Sequence, residues 1–491
     1  MVGIWVERRA RVLGVVGFLL IALGLAVLPL TTALFFAGAL LLVGALFFYP
    51  EVAVYLLVFA VPFGSLLPLN VDGANATAAD ALLLLAWGLY LARGIARRDL
   101  QLRIPQLALP FVIFIFAAFL SFTVAISLKD AVTELVKWIE MLAAYWLVAQ
   151  FFDERRVEGL LAVMFAAGLG EALLGAYQYY FQVGPEGFLL FGGANLRAYG
   201  TFEQPNPYAG YLGLMIPLAF GTAVGILADS RWHIADGRWQ WIPFRRILLL
   251  VLAVGSLGAM VAALFYSYSR GAWIGVAAAL GATAVLALVR TRRAAMIALG
   301  LALVVLVVIG LGEINVVPDI ITERFATVSD YFGFDDVRGV NANDANFAIV
   351  ERRAHWQAAL GMFEDSPWLG VGFGNYAIAY PNYSLPHWDD PLGHAHNYYL
   401  NVLAEAGVIG FVAYLLLWGA IFGYVWRATR RSTGWAQGVA AGTFGVLVAL
   451  SIHNFFDNLF VHAMYIQVGL TLGLVEALIW KRKPINEEGN L

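Results

Sequence analysis

Long apolar runs, interrupted at short intervals by arginine-rich or Gly/Pro-containing stretches, follow one another along almost the whole chain. A bilayer core about 30 Å thick is crossed by roughly 20 apolar residues in an α-helix. Read with that window, the pattern predicts fourteen spans, near 12–28, 31–49, 52–68, 79–96, 106–127, 131–152, 157–182, 206–229, 246–266, 272–289, 294–312, 408–426, 436–455 and 460–480. The runs are continuous and far longer than the alternating ~10-residue segments of an outer-membrane barrel, so the expected class is an all-α polytopic membrane protein. The first two runs could instead form one re-entrant hairpin. One polar stretch, 313–407, breaks the rhythm, being too long for a plain connector and too polar for lipid. The chain thus divides into eleven spans with short loops (1–312), an external helical loop region (313–407), and three spans with a cytoplasmic tail (408–491).

Inside the external region, Ile349, Trp356, Leu360 and Phe363 recur on one face of a helix, with Glu351, Arg352, Arg353 and Glu364 on others. Ser366-Pro367 ends that helix. A glycine-rich turn, Pro367 to Asn375, follows. Its Gly370, Gly372 and Gly374 lack the order and the preceding strand of a nucleotide loop, so close backbone packing is their expected use.

Composition agrees: 61% of the 491 residues are hydrophobic and 13% charged, about half the share of charge in soluble domains, and the mean hydropathy is +0.77. A soluble multidomain protein and a disordered chain are both excluded. A net charge of −3 gives no electrostatic reason to expect nucleic acid. The absence of cysteine removes disulfides, thiolate metal sites and cysteine nucleophiles.

The basic residues orient the chain. With the N-terminus cytoplasmic, 22 of the 30 Lys and Arg fall on inside segments, in clusters such as Arg93/Arg97/Arg98 and Arg427/Arg430/Arg431. This is the positive-inside bias, and it places both termini in the cytoplasm. The first run lacks a small-residue cleavage site and reads as a retained span. Lys137 lies within a span, and seven basic residues remain outside: Lys129, Arg197, Arg270, Arg324, Arg338, Arg352 and Arg353. Arg270 sits in Ser267-Tyr-Ser-Arg-Gly-Ala272, the entire connection between the ninth and tenth spans, and Arg197 in the loop before the eighth. A lone guanidinium there would bind a lipid headgroup. Two of them with a histidine on the same side suit phosphate, whose oxygens match their fixed fork of donors.

His394 and His396 stand two apart. They could ligate a metal from a strand, hydrogen-bond at the membrane boundary, or accept a proton. No third ligand stands at a convincing spacing; Asp389 and Asp390 lie in an irregular stretch. Within the spans, Glu134, Lys137 and Glu140 share a helical face, and Glu171 lies in the next helix. Each lone charge costs about 2.5–3.5 kcal/mol to insert, so mutual pairing is expected, with a proton relay as the alternative. His453, Asn454, Asp457 and His462 form a last polar cluster near the final outer turn.

The order of these motifs resembles the O-antigen ligase and O-antigen polymerase superfamily of bacterial envelope glycosyltransferases. The resemblance rests on Arg197 with Gly-Thr-Phe-Glu-Gln-Pro-Asn206, on Ser269-Arg270-Gly-Ala272, on Arg353…Trp356 with Asp365-Ser-Pro-Trp-Leu-Gly-Val-Gly-Phe-Gly-Asn375, and on His396-Asn397-Tyr-Tyr-Leu…Ala-Glu405-Ala-Gly-Val-Ile-Gly410. It is clearest over 160–425. It implies a C-type-like, inverting, metal-independent glycosyltransferase without cofactor, at the periplasmic face of the inner membrane. The donor would be an undecaprenyl-diphosphate-linked saccharide, and the acceptor a glycan or a lipid A core. Arg197 and Arg270 would bind the donor diphosphate, and His396, or His394 beside it, would act as the base. Asn206, Ser269, Asn397 and Glu405 would support them. The motifs serve ligase, polymerase and protein O-oligosaccharyltransferase alike, with the ligase favoured. A lipid-linked-oligosaccharide flippase or other transporter is the reading from a different class, although no internal repeat suggests inverted halves.

Overall fold

The computed structural model describes residues 29–66, 69–71, 74–190, 193–229, 243–288, 336–340 and 346–479. The spans expected at 12–28 and 294–312, Arg324, and the basic clusters at 8–11, 290–293 and 481–483 lie outside these residues. The other twelve predicted spans each coincide with a helix. In chain order these are α1 (Leu30–Phe48), α2 (Glu51–Phe63), α3 (Ala78–Arg97), α4 (Ala108–Leu120), α5 (Leu128–Phe151), α6 (Glu154–Phe181), α7 (Pro205–Asp229), α8 (Phe244–Tyr266) and α9 (Arg270–Leu288). After them come α10 (Phe347–Asp365), the single turn α11 (Tyr376–Ala379), α12 (Tyr398–Arg431), α13 (Gly434–His453) and α14 (Met464–Ile479).

Among the described residues, seven helices are individually long and apolar enough to cross a membrane: α3, α6, α7, α8, α9, α12 and α13. The protein is therefore an all-α polytopic membrane protein. α4 and α14 are apolar but shorter; α5 has the length but carries Lys129, Asp130, Glu134, Lys137 and Glu140. Residues 36–48 and 51–63 are bent by 118° to one another, as in a broken span or a re-entrant loop. The bend thus falls between the second and third apolar runs. The hairpin expected from the first two involves residues outside those described.

Polar residues begin the helices where apolar ones could not satisfy the first N–H groups. Thr77 and Asp80 form a reciprocal capping box on α3, while Ser127 and Asp153 cap α5 and α6. The deepest packing uses small residues, since lipid offers apolar side chains no reason to prefer one another and close backbone approach supplies the contact. A Cβ on Gly221 of α7 would lie 2.4 Å from the Gly438 carbonyl oxygen of α13, and one on Gly469 of α14 would lie 2.3 Å from that of Met141 in α5. Large apolar side chains such as Leu84, Leu109, Val251 and Leu416 point outward, as lipid rather than water would allow.

The charges within the spans are satisfied locally. Lys137 pairs with Glu134 at 2.5 Å, whereas Glu140 is hydrogen-bonded by Tyr465. Glu171 accepts from the Thr201 backbone N–H at 3.1 Å and hydroxyl at 2.7 Å. Pairing therefore describes Lys137 with one of its two neighbours only. A buried carboxylate that the sequence did not single out, Glu476, accepts from the Tyr145 and Tyr424 hydroxyls.

α12 contains a break. At Gly407 the backbone takes φ 59°, ψ −164°, a region essentially restricted to glycine. The carbonyl and N–H groups released there bond to the glycine-rich turn: Val371 N–H donates to Ala404 O at 2.9 Å, Gly372 N–H to Glu405 O at 3.0 Å, and Val408 N–H to Pro367 O at 2.8 Å. A Cβ at Gly370 would meet the Ala404 oxygen at 2.3 Å. The glycines thus serve close backbone packing, as their spacing suggested.

Candidate active site

The residues singled out in the sequence gather where the C-terminal ends of α8 and α13 meet the N-terminal ends of α7, α9 and α12. The short hairpin pairing Leu189 with Leu196 and Leu190 with Asn195 delivers Arg197. Arg197 Nε donates to the Ser267 carbonyl at 2.8 Å and Nη2 to Asn206 Oδ1 at 3.0 Å. Asn206, in the first turn of α7, therefore orients a guanidinium, and does so without a charge that would compete for an anion. Ser269 is buried just before α9, its backbone N–H on the Ser267 hydroxyl at 3.2 Å, and Arg270 opens the helix. Arg197, Asn206, Ser269 and Arg270 line one pocket of about 90 Å³ together with Arg352, His453 and Phe456. A space of that size holds several waters, each needing about 10–15 Å³, and its guanidinium lining suits a compact anion such as phosphate.

One residue beyond Phe456, Asp457 reaches both histidines. Its Oδ1 lies 3.4 Å from His394 Nε2 and 3.8 Å from His396 Nδ1. The two rings are 4.5 Å apart, edge to face. The His396 backbone N–H donates to His394 Nδ1 at 3.0 Å, which makes that nitrogen an acceptor and puts the proton of the neutral ring on Nε2, facing the carboxylate. Burial, with the charge of His396, pushes the His394 pKa down to about 3. Burial alone would raise the Asp457 carboxyl, but His396, His394 and the Arg352 guanidinium outweigh it and hold it well below the usual range. His396 has a left-handed backbone (φ 51°), and neither of its ring nitrogens has a hydrogen-bond partner among the described residues. His394, His396 and Asp457 each offer one ligand atom within 4.8 Å of the others, a set of two imidazoles and a carboxylate that could hold a cation. Asp457 is the third group that no local spacing showed.

His355 did not stand out in the sequence. It is buried on α10, stacks on Tyr380 at 4.7 Å, sets its Nδ1 3.0 Å from the Tyr376 hydroxyl, and meets His396 edge-on at 5.5 Å. Burial, then His396 and His394, depress its pKa to about 3. Two expected supporting residues lie apart from the pocket. Asn397 caps α12, accepting from Tyr399 and Leu400 N–H at 3.0 and 3.2 Å, and so fixes the residue after His396. Glu405 is buried, and its Oε1 accepts from Tyr376 N–H at 3.0 Å, tying α11 to the break in α12.

Against known proteins, residues 255–415 match the family model described as O-antigen ligase. An O-antigen ligase of Pseudomonas aeruginosa is 28% identical over 273 residues, 55% of this chain and 57% of that protein. Over these stretches the chain is similar to O-antigen ligases. The match spans little more than half of that relative's length. The region matched by the family model includes Ser269, Arg270, Arg352, His394 and His396, while Arg197, Asn206 and Asp457 lie outside it and are brought to it by folding.

Proposed function

We propose that the protein is an O-antigen ligase-like glycosyltransferase that moves a saccharide from an undecaprenyl-diphosphate carrier to an acceptor hydroxyl at the outer face of the bacterial inner membrane. The observation that carries this reading is the adjacency of a guanidinium-lined pocket to a carboxylate-backed histidine, joined through Phe456 and Asp457. Arg197 and Arg270 hold the diphosphate and offset the charge that grows on it as the glycosidic bond breaks. His396 takes the proton of the attacking hydroxyl, a contribution typically worth about 10²–10⁴-fold. His394 is the weaker candidate, because its Nδ1 is already an acceptor and its Nε2 proton faces Asp457. Attack from the side opposite the leaving diphosphate inverts the anomeric centre.

Fourteen spans, both termini cytoplasmic and an external 313–407 region form the topology that goes with this reading. Ligation to a lipid A core is favoured over chain polymerisation and transfer to protein by the name of the matched family. A transporter would need its polar site near the midplane, whereas these groups cluster at helix ends. The test is to reconstitute purified protein with lipid-linked donor and to supply candidate acceptors separately. A product whose mass is acceptor plus glycan is expected, and it should be lost with Arg270→Ala and His396→Ala proteins that insert normally. Donor that only changes leaflet, or wild-type transfer by both variants, overturns the reading.

A further inference from the structure

α10 crosses both halves of the site. Its Ala348 and Arg352, one turn apart, line the pocket with Arg197 and Arg270, while His355, on an adjacent face, meets His396. Two of the contacts of Arg352 go to backbone carbonyls: Nη1 donates to Ala348 O at 3.0 Å and Nε to Phe456 O at 3.3 Å. Arg197 is fixed in the same manner, by a carbonyl and an amide oxygen. The helix itself is anchored one turn further on by Trp356, which is buried and packed edge-on against Phe455 at 5.8 Å. The guanidinium is therefore positioned by the backbone of α10 and of the 453–457 turn, on the wall of the pocket nearest the carboxylate that faces the histidines.

We infer that Arg352 is a third phosphate-binding residue, gripping the part of a diphosphate nearest the base, so that the leaving group is held from three elements rather than two. This rests on the reading of the pocket as a donor-diphosphate site. It assigns α10 a task that its apolar periodicity did not reveal: setting the leaving group against the acceptor-activating histidine. Both groups are then positioned by one rigid element. Arginine suits the role better than lysine, because its planar guanidinium carries five donors that can serve backbone carbonyls and phosphate oxygens from one position.

Inorganic pyrophosphate is the probe. Titrated calorimetrically into the full-length wild-type protein, it should bind, and Arg352→Gln should weaken it about tenfold or more, the scale of one lost charge-assisted hydrogen bond. Arg197→Gln and Arg270→Gln should weaken it as well. Arg338→Gln, an exposed residue paired with Asp336 outside the pocket, should bind like wild type. Wild-type affinity in Arg352→Gln alongside losses in the other two removes Arg352 from the site and leaves the donor reading standing. Wild-type affinity in all three pocket variants removes the donor reading too. A measurement without any substitution covers the case in which Arg352→Gln fails to fold. Arginine-directed dicarbonyl labelling of the wild type, read by fragment mass spectrometry, should show pyrophosphate protecting Arg352 together with Arg270. Unchanged labelling of Arg352 where Arg270 is protected overturns the inference.

Discussion

The two histidines of the His-Ala-His segment share Asp457 but differ in what else they hold: His394 Nδ1 already accepts a backbone N–H and its Nε2 faces the carboxylate at 3.4 Å, whereas His396 turns only Nδ1 toward it, at 3.8 Å, and its Nε2 has no hydrogen bond among the described residues. Asp457 then serves as the group that fixes the imidazole pair and stabilises an imidazolium when a proton arrives, the role a carboxylate plays behind histidine in acyl transfer. Asp457→Asn keeps the shape and removes the charge. It should lower turnover by about 10²–10⁴-fold while leaving the Michaelis constant for donor within a few-fold, measured by product formation at saturating acceptor. A loss confined to donor affinity would place Asp457 in the phosphate pocket instead. Arg197, Arg270 and the histidine pair could be singled out from the chain because each sits in a short local motif on the side expected to be external. Asp457 stood out only as one member of a polar cluster near the last outer turn, and His355 did not stand out at all. What ties them to His396 is contact across about 60 and 40 positions, which no local spacing reveals.

At the level of elements, hydrophobic period located the helices because a span must be apolar over about 20 residues wherever it meets lipid. The same criterion began the twelfth span at 408, just past Gly407, whereas α12 already runs from Tyr398 and carries the break inside it. The backbone of 367–372 makes that break tolerable by taking up its hydrogen bonds. Gly407→Ala must then adopt a glycine-only conformation and place a Cβ 2.3 Å from the Trp368 backbone. A destabilisation of about 2–4 kcal/mol is expected from strain plus steric clash, read as a lowered midpoint of thermal unfolding in detergent. Gly419→Ala in the same helix has nothing within 4 Å of the new Cβ and should raise the midpoint slightly, by about 0.5–1 kcal/mol in stability. Equal effects at the two positions would mean that the break has no structural function.

For the whole molecule, the arrangement of basic residues makes a prediction that the cysteine-free chain is well suited to test, since any introduced thiol is the only one. Arg338→Cys in the polar region before α10 should react with a membrane-impermeant maleimide applied from outside. Arg430→Cys at the far end of α12 should react only after permeabilisation. The reverse pattern, or equal reactivity, would overturn the proposed orientation. The route by which the chain builds the pocket adds a temporal consequence. Synthesis proceeds from the N-terminus, so Arg197, Arg270 and Arg352 emerge from the ribosome well before Asp457, which arrives in the turn between α13 and α14. On the proposed function, a nascent chain would present its arginine pocket while it still lacked the carboxylate facing the histidines, and transfer would be withheld until translation had passed the penultimate described helix.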